Sequence, residues 1–234
     1  RFEKYFIKLF TDERQMQVQI FLDCSASMGK DNPYKSAYAV ATAAALGFLS
    51  VHNMDKVSFQ LMKGNRAENP FGTIVGKNAF YRAINELDNL EFEGETDIES
   101  CVTSCPETGT GNGLTVIVSD FFTDSDWKKA VDYLCYKKRQ VLLVQVMSRE
   151  DEEPSYDGRV NLIDAESVDL VEDKNMKIKI TRSMQKAYDE AMADFKKDIK
   201  TFCSKRGVGF ISIGCDSPVE RVLFGELLKV GIMS

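Results

Sequence analysis

The sequence contains only one histidine, His52, and this scarcity narrows the chemistry that the chain can perform. A serine hydrolase needs a base beside its nucleophile and commonly presents the serine in a G-x-S-x-G turn. The chain has no G-x-S-x-G, and His52 lies near the end of the first long predicted helix. We therefore expect no Ser-His-Asp triad and interpret His52 as an ordinary helix-end residue.

Basic stripes and long apolar runs are also missing. The net charge is −6, with lysines and arginines dispersed among acidic residues, so nucleic acid is not an expected partner. The apolar-looking stretch at residues 37–51 is dominated by alanine and is shorter than the ~20 residues that a membrane span needs. We interpret it as a helix buried against a sheet, and we expect no membrane segment in this chain.

Six cysteines could form three disulfides, but they lie inside predicted strands and helices, and nothing resembles a secretion signal. This pattern favours free thiols in a reducing cytoplasm. Cys101 and Cys105 are four residues apart on a predicted helix and could offer two zinc ligands. Because no matching Cys or His pair follows, we do not expect a zinc site.

The 234 residues, 44% hydrophobic and 28% charged, suit one large globular domain spanning residues 1–234. Buried apolar strands alternate with amphipathic helices, which predicts an α/β fold with a mainly parallel, twisted sheet and helices on both faces. Because the chain begins at Arg1 rather than Met, we expect that an N-terminal part of the full protein precedes it. The predicted strands are 4–10, 16–22, 57–62, 71–75, 114–119, 141–147 and 208–213. The predicted helices are 33–51, 78–87, 97–105, 126–138, 182–206 and 218–229.

One excursion interrupts this alternation at about residues 150–181. An acidic loop at 150–153 is followed by two segments, 159–163 and 168–180, in which apolar and polar residues alternate. Alternation of this kind is typical of β-strands with one buried face. We predict a β-hairpin or ribbon at the edge of the sheet.

Polar side chains follow two of the predicted central strands, at the point where each strand ends. The apolar run at 19–22 leads into a D-x-S-x-S motif formed by Asp23, Ser25 and Ser27, and the run at 116–118 leads into Asp120. Thr96 lies in a G-x-T-D segment that opens a predicted helix. In parallel α/β sheets, ligands bind beyond the carboxyl ends of the strands. We therefore expect these side chains to lie on one rim of the sheet.

This set of oxygen atoms suits a hard divalent cation. Mg²⁺ prefers six oxygen ligands in near-octahedral geometry and retains water readily. We expect Ser25, Ser27 and Thr96 to be inner ligands, and Asp23 and Asp120 to balance the charge, either directly or through bound water. Mn²⁺ or Ca²⁺ could replace Mg²⁺, since these oxygens accept all three. Mostly neutral ligands would leave the cation electrophilic, with a position open to a carboxylate from a protein partner.

The three-part pattern resembles the metal-ion-dependent adhesion site of von Willebrand factor A domains, and the likeness extends along most of the chain to the bacterial domain-of-unknown-function 58 family. This resemblance implies a von Willebrand A-like fold. It also implies a non-enzymatic adaptor or co-chaperone that acts with a MoxR-type AAA+ ATPase, because such ATPases are typically encoded beside these proteins. Beyond the metal motif, the similar segments are residues 6–10, 13–14, 119–121, 162–166 and 187–188.

Two other interpretations remain open. Haloacid-dehalogenase-like phosphatases also place an aspartate after a strand, in D-x-D-x-[TV], but here Ser25 stands where their general acid would be. Asp120 and Asp124 could mimic their later acidic motif. Alternatively, the domain could be a structural interaction module that binds partners without metal, for example through the acidic loop at 150–153.

Overall fold

The computed structural model describes residues 15–29, 33–152, 159–162, 176–179 and 182–218 of the chain. The strands are β1 Gln17–Asp23, β2 Lys56–Lys63, β3 Arg66–Glu68, β4 Gly113–Ser119, β5 Gln140–Met147, β6 Arg159–Leu162, β7 Met176–Lys179 and β8 Gly209–Gly214. The helices are α1 Pro33–His52, α2 Lys77–Leu87, α3 Ile98–Thr103, α4 Trp127–Tyr136, α5 Arg149–Glu152 and α6 Arg182–Arg206. A single 3₁₀ turn, Ala26–Met28, follows β1.

Six strands form one sheet in the order β3-β2-β1-β4-β5-β8, and all neighbours are parallel except β2 and β3. The chain proceeds from β1 to β2 on one side and later returns to β4 on the other. The sheet therefore has a topological switch point between the carboxyl ends of β1 and β4, where open α/β sheets bind their ligands. The predicted mainly parallel sheet is confirmed.

Helices cover both faces of this sheet, as predicted, and the alternation of side chains along the strands explains why. Ile20 and Val116 point to one face and pack with α1 and α2, whereas Phe21 and Ile117 point to the other and pack with α3, α4 and α6. A strand buried on both faces must be apolar at consecutive positions, which accounts for the continuous apolar runs of β1 and β4. The sheet is thus the middle layer of three.

The predicted strand at 71–75 was wrong, since only Ile74 forms an isolated antiparallel bridge, to Val57. The edge strand beside β2 is instead β3, a three-residue strand carrying two charged residues that gives no apolar signal. In the region of the predicted excursion, β6 and β7 pair antiparallel in a two-stranded sheet of their own. The predicted strand 4–10 and nearly all of the predicted helix 218–229 lie outside the described residues.

Within the part of the chain that the structure describes, no helix combines the length and the apolar character needed to traverse a bilayer.

Gly113 is required by a close approach at the start of β4. A Cβ atom at this position would lie 1.9 Å from Nη1 of Arg139 and 2.7 Å from the backbone oxygen of Gln17. The Arg139 guanidinium cannot withdraw freely, because its Nη2 donates to that same Gln17 oxygen at 2.8 Å. We expect Gly113→Ala to lower the free energy of unfolding by about 1–3 kcal/mol, measured by urea denaturation.

Gly109 is the matched control, because a Cβ there would meet only the Gln17 side chain, at 3.6 Å. Gly109→Ala should leave stability nearly unchanged. Equal stability of the Gly113→Ala variant and the wild type would contradict the packing described at β4.

Candidate metal centre and family membership

The D-x-S-x-S loop leaves β1 as a tight turn around the carboxylate of Asp23. Asp23 Oδ1 accepts a hydrogen bond from the backbone N–H of Ser25 at 3.0 Å, and the 3₁₀ turn then brings Ser27 back toward Ser25. The two serine Oγ atoms lie 3.1 Å apart, and Ser25 is almost fully buried while Ser27 is half-buried. The motif therefore gathers a carboxylate and two hydroxyls at the end of one strand.

The segment that carries Thr96 is attached to this loop through the backbone. Gly94 has a left-handed conformation, with φ of 69°, and its carbonyl accepts the N–H of Ala26 at 2.9 Å. Thr96 forms a bridge with Gly64, just beyond β2, and its hydroxyl donates to the backbone oxygen of Met62 at 3.4 Å. Thr96 is 5% exposed. The Thr96 hydroxyl is thus held beside the end of β2, with lone pairs left for another ligand.

The end of β4 supplies the third part of the site. Ser119 Oγ donates to Asp23 Oδ2 at 2.6 Å and accepts from the N–H of Phe121 at 2.9 Å. Phe121 has a positive φ of 63°, a conformation that costs a non-glycine residue about 1–2 kcal/mol. In this turn the N–H of Phe122 donates to Asp120 Oδ1 at 2.9 Å. The strained turn and the residue before it therefore donate hydrogen bonds to both carboxylates, Asp23 and Asp120.

A lysine that the sequence analysis did not single out lies within the same cluster. Lys35, in the first turn of α1, is 2% exposed, and its Nζ lies 2.7 Å from Asp120 Oδ2 and 2.9 Å from Asp151 Oδ2. Burial by itself would lower the pKa of Lys35, but the ion pairs with Asp120 and Asp151 outweigh this effect and raise it. Lys35 is therefore a buried, charged ammonium at the rim of the sheet.

The negative charge of Asp23 is less well compensated. Asp23 is 2% exposed, and its pKa is raised first by burial and then by the nearby charge of Asp120, although the hydrogen bonds from Ser119 and Ser25 lower it. Among the residues that the structure describes, the cluster contains three carboxylates, Asp23, Asp120 and Asp151, and the ammonium in contact with them is that of Lys35. The local environment consequently favours an additional positive charge.

In the structure, Ser25 contacts both Asp23 and Ser27. Asp120 lies close enough to raise the pKa of Asp23. Thr96 joins this group through backbone contacts. The sequence analysis missed Lys35, Ser119 and Asp151. A signal for Lys35 did exist, because it falls in helical register with the buried positions of α1, where an unpaired lysine would be costly. The buried positions of α1 in register with it are Tyr38, Ala39, Thr42, Ala43 and Leu46.

The alternative centres considered from the sequence gain no support from these contacts. His52 packs on Phe48 at the far end of α1, about 25 Å along the helix from Lys35. Cys101 Sγ contacts the backbone oxygen of Arg66, whereas Cys105 Sγ accepts from Gln19, so the two thiols have separate surroundings. Among the described residues, no group of three or more His, Cys, Asp or Glu side chains is arranged to hold a metal.

The six cysteines are all free thiols, and Cys24, inside the D-x-S-x-S motif, is fully buried. Its Sγ contacts the backbone oxygen of Leu22 at 3.6 Å. Burial, followed by the charge of Asp23, raises the pKa of this thiol to about 12. The Cys24 side chain therefore points away from the cluster of site oxygens into the core.

Comparison with known proteins identifies the family. The family described as "Protein of unknown function DUF58" matches residues 1–198 of the chain. The chain belongs to the DUF58 family. The resemblance inferred from the sequence motifs is thereby confirmed. No curated protein matches the chain significantly.

Two solved structures share the architecture of this DUF58 protein, each with a TM-score of 0.51. An aerotolerance-related membrane protein from Bacteroides fragilis is 15% identical, and the match covers 93% of this chain and 100% of that one. BatB from Bacteroides thetaiotaomicron, a conserved hypothetical protein, is 16% identical, with 92% and 98% covered. A von Willebrand factor type A protein from Catenulispora acidiphila is 11% identical, with 57% and 33% covered and a TM-score of 0.40. The predicted α/β fold, a mainly parallel sheet with helices on both faces, is confirmed.

The residues of the DUF58 site fit a divalent cation by one direct geometric test. Two oxygen ligands at the ~2.1 Å typical of Mg²⁺ and at right angles to each other lie about 3.0 Å apart. The Ser25 and Ser27 Oγ atoms are 3.1 Å apart, a hydrogen-bond distance that is also compatible with neighbouring octahedral positions. The donors are all oxygens, and the buried carboxylate of Asp23 adds negative charge directly beside them. Such a donor set matches Mg²⁺ or Mn²⁺ better than a soft metal.

The raised pKa of Asp23 gives this site a testable pH dependence in metal-free buffer. The folded protein holds the Asp23 proton more tightly than the unfolded chain, where the carboxyl titrates near 3.8. The unfolding free energy of the wild type should therefore fall as the pH rises from about 4 through the raised folded pKa. Asparagine removes this titration and can still accept from Ser25 and donate to Ser119.

We accordingly expect Asp23→Asn to gain stability relative to the wild type between pH 4 and pH 8, measured by urea unfolding in EDTA. Asp88→Asn makes the same chemical change at an exposed position and is the control for the substitution itself. If the difference between wild type and Asp23→Asn does not change with pH, Asp23 does not carry a raised pKa.

Proposed function

We propose that this domain is a divalent-metal-dependent protein-binding module, with Mg²⁺ as the resident ion. Ser25, Ser27 and Thr96 are its inner protein ligands, and Asp23 and Asp120 balance the charge. The observation that carries this proposal is the pair of serine hydroxyls, 3.1 Å apart, in a turn whose backbone donates to the buried carboxylate of Asp23 at the switch point of the sheet. No covalent chemistry is required of any of these residues.

The neutral character of the inner ligands supports binding rather than catalysis. A cation held mainly by hydroxyl oxygens and water keeps most of its charge and attracts an additional carboxylate. An aspartate or glutamate of a protein partner supplies that ligand, replacing a bound water. The partner thereby gains a charge-assisted contact, while the domain gains a counter-ion for its exposed cation.

A groove beside Thr96 offers room for the rest of the partner. Its volume is about 770 Å³, and it runs between the Thr96 loop and the loop that follows β4. Phe122 and Phe195 stack in its wall with ring centroids 5.4 Å apart. An apolar side chain beside the partner's carboxylate could pack on these rings, so the groove gives specificity that a metal contact alone lacks.

The family context suggests the class of partner. DUF58 proteins are typically encoded beside MoxR-type AAA+ ATPases, so we propose an adaptor or co-chaperone that acts with such an ATPase in assembling or activating a target complex. A cytoplasmic location agrees with this role. The six free thiols agree with a reducing compartment.

A metal-independent interaction domain is the second candidate, and one contact favours it. Lys35 already pairs with Asp120 at 2.7 Å, so part of the negative charge is neutralised without a metal. Under this alternative, the same rim and groove bind a partner through hydrogen bonds and apolar contacts. The two candidates differ in their response to metal removal.

Ser27→Ala tests the metal directly, because Ser27 is half-buried and its hydroxyl contacts only that of Ser25 among the described contacts. With Mg²⁺ or Mn²⁺ at ten times its dissociation constant, linkage predicts about 1.4 kcal/mol of stabilisation. For a domain of this size we expect Tm to rise by roughly 3–6 °C over EDTA in the wild type, and by much less in Ser27→Ala. Asp120→Ala is a poorer test, since it would strand the buried charge of Lys35.

Ser104→Ala removes a hydroxyl from an exposed position at the end of α3 and serves as the control for this experiment. It should respond to metal as the wild type does. A rise in Tm of equal size in wild type and Ser27→Ala would rule out Ser27 as a ligand.

Partner binding can be measured with the MoxR-type ATPase encoded nearest to the gene for this chain. By isothermal titration calorimetry, we expect binding in Mg²⁺ and at least a tenfold loss of affinity, about 1.4 kcal/mol, in EDTA or with Ser27→Ala. Ser104→Ala should bind like the wild type. Equal affinity in Mg²⁺ and EDTA would reject the metal-dependent proposal in favour of the metal-independent one.

A further inference from the structure

Lys35 is buried, although lysine side chains are almost never fully buried unless they are paired. It lies in the first turn of α1 on the face that packs against the sheet, and its side chain is 2% exposed. Its ammonium is fixed between Asp120 Oδ2 at 2.7 Å and Asp151 Oδ2 at 2.9 Å. The aromatic ring of Phe122 lies 5.7 Å from Nζ. The positive charge is therefore held at a defined point of the rim.

Both carboxylate oxygens of Asp120 already have a partner. Its Oδ1 accepts from the N–H of Phe122 at 2.9 Å, and its Oδ2 accepts from Lys35. Any cation that draws on the charge of Asp120 must share the carboxylate with the ammonium. Two positive charges on one carboxylate repel each other strongly where water is excluded.

The second carboxylate on Lys35 comes from a different element. Asp151 belongs to α5, directly after β5, and its Oδ2 also accepts the N–H of Ser148 at 2.8 Å. Asp151 is 24% exposed, unlike Asp120. Lys35 thus has an alternative counter-ion when the charge of Asp120 is drawn elsewhere.

We propose that Lys35 is a built-in cation that competes with the divalent metal for Asp120 and so sets the metal affinity of the site. This inference rests on the metal site of the proposed function. Lys35 weakens metal binding in the wild type, and Asp151 moderates this effect by holding part of the lysine's charge. A lysine that merely anchored α1 would have no such competitive effect.

A charge-conserving double substitution separates competition at Asp120 from a change in net charge. Lys35→Met removes the ammonium but also makes the cluster more negative, which alone would attract metal. Lys35→Met combined with Asp151→Asn restores the wild-type balance, and the asparagine oxygen can still accept from Ser148. Lys186→Met is the control, because Lys186 is 79% exposed and pairs only weakly with Glu190, at 3.7 Å.

The experiment measures Mn²⁺ binding by the loss of the electron paramagnetic resonance signal of free Mn²⁺, with folding checked by circular dichroism. We expect the dissociation constant to fall about tenfold or more in Lys35→Met and severalfold in the double variant. Lys186→Met should equal the wild type. If Lys35→Met fails to fold, the double variant, which leaves less uncompensated charge, still decides the question.

Wild-type affinity in the double variant overturns the competition between Lys35 and metal, while the metal site itself stands. If Mn²⁺ binds to the variants that lack Lys35 but not to the wild type, Lys35 excludes the metal completely. The proposed competition is then supported, and partner binding by the natural chain does not depend on metal. Absence of Mn²⁺ binding in every variant rejects both the competition and the metal site.

Discussion

Two carboxylates, Asp23 and Asp120, are held almost entirely out of water at the ends of neighbouring strands, and the local structure is organised around compensating that burial. An uncompensated buried charge costs several kcal/mol. The turn after β1 supplies an N–H to Asp23, and the strained turn after β4 supplies one to Asp120. Ser119 and Lys35 complete the compensation. The shape of both loops follows from these contacts.

The three segments of the candidate site are linked to one another because they share backbone partners. The carbonyl of Met62, near the end of β2, accepts both the N–H of Cys24 at 3.1 Å and the hydroxyl of Thr96 at 3.4 Å. The carbonyl of Thr96 in turn accepts from the hydroxyl of Thr123, in the loop after β4. Bonds of this kind position the side-chain oxygens before any ligand arrives, which lowers the entropy cost of binding one.

The position of Asp23 and Asp120 on one rim of the sheet could be predicted from the sequence, whereas the charge balance of this rim could not. Parallel strands end at the same edge of a sheet, so two apolar runs followed by Asp23 and Asp120 indicate the rim directly. The position of Lys35 and its residue type disagree. It lies on the apolar side of an alanine-rich helix, where a charged side chain is not expected unless its partners are known. Those partners, Asp120 and Asp151, lie 85 and 116 residues away along the chain, at a separation that periodicity does not register.

Partners that are distant in the sequence also explain why the edge strand was predicted at 71–75 rather than at β3. Segment 71–75 alternates like a strand, but only Ile74 reaches a partner, whereas β3 pairs through its backbone with charged side chains pointing to solvent. Edge strands are defined by the neighbour that accepts their hydrogen bonds rather than by their own composition. Local sequence therefore described the four central strands and the β8 edge well, and it missed only the short edge strand β3.

Cys24 lies inside the D-x-S-x-S loop, and its thiol is chemically unreactive there. Only the thiolate form of cysteine attacks oxidants and alkylating agents, and with a pKa of about 12 roughly one Cys24 thiol in 10⁵ is ionised at pH 7. Its full burial removes access as well. Oxidants should therefore reach the partly exposed thiols of Cys135 and Cys215 before that of Cys24, even though Cys24 lies between two residues of the candidate site.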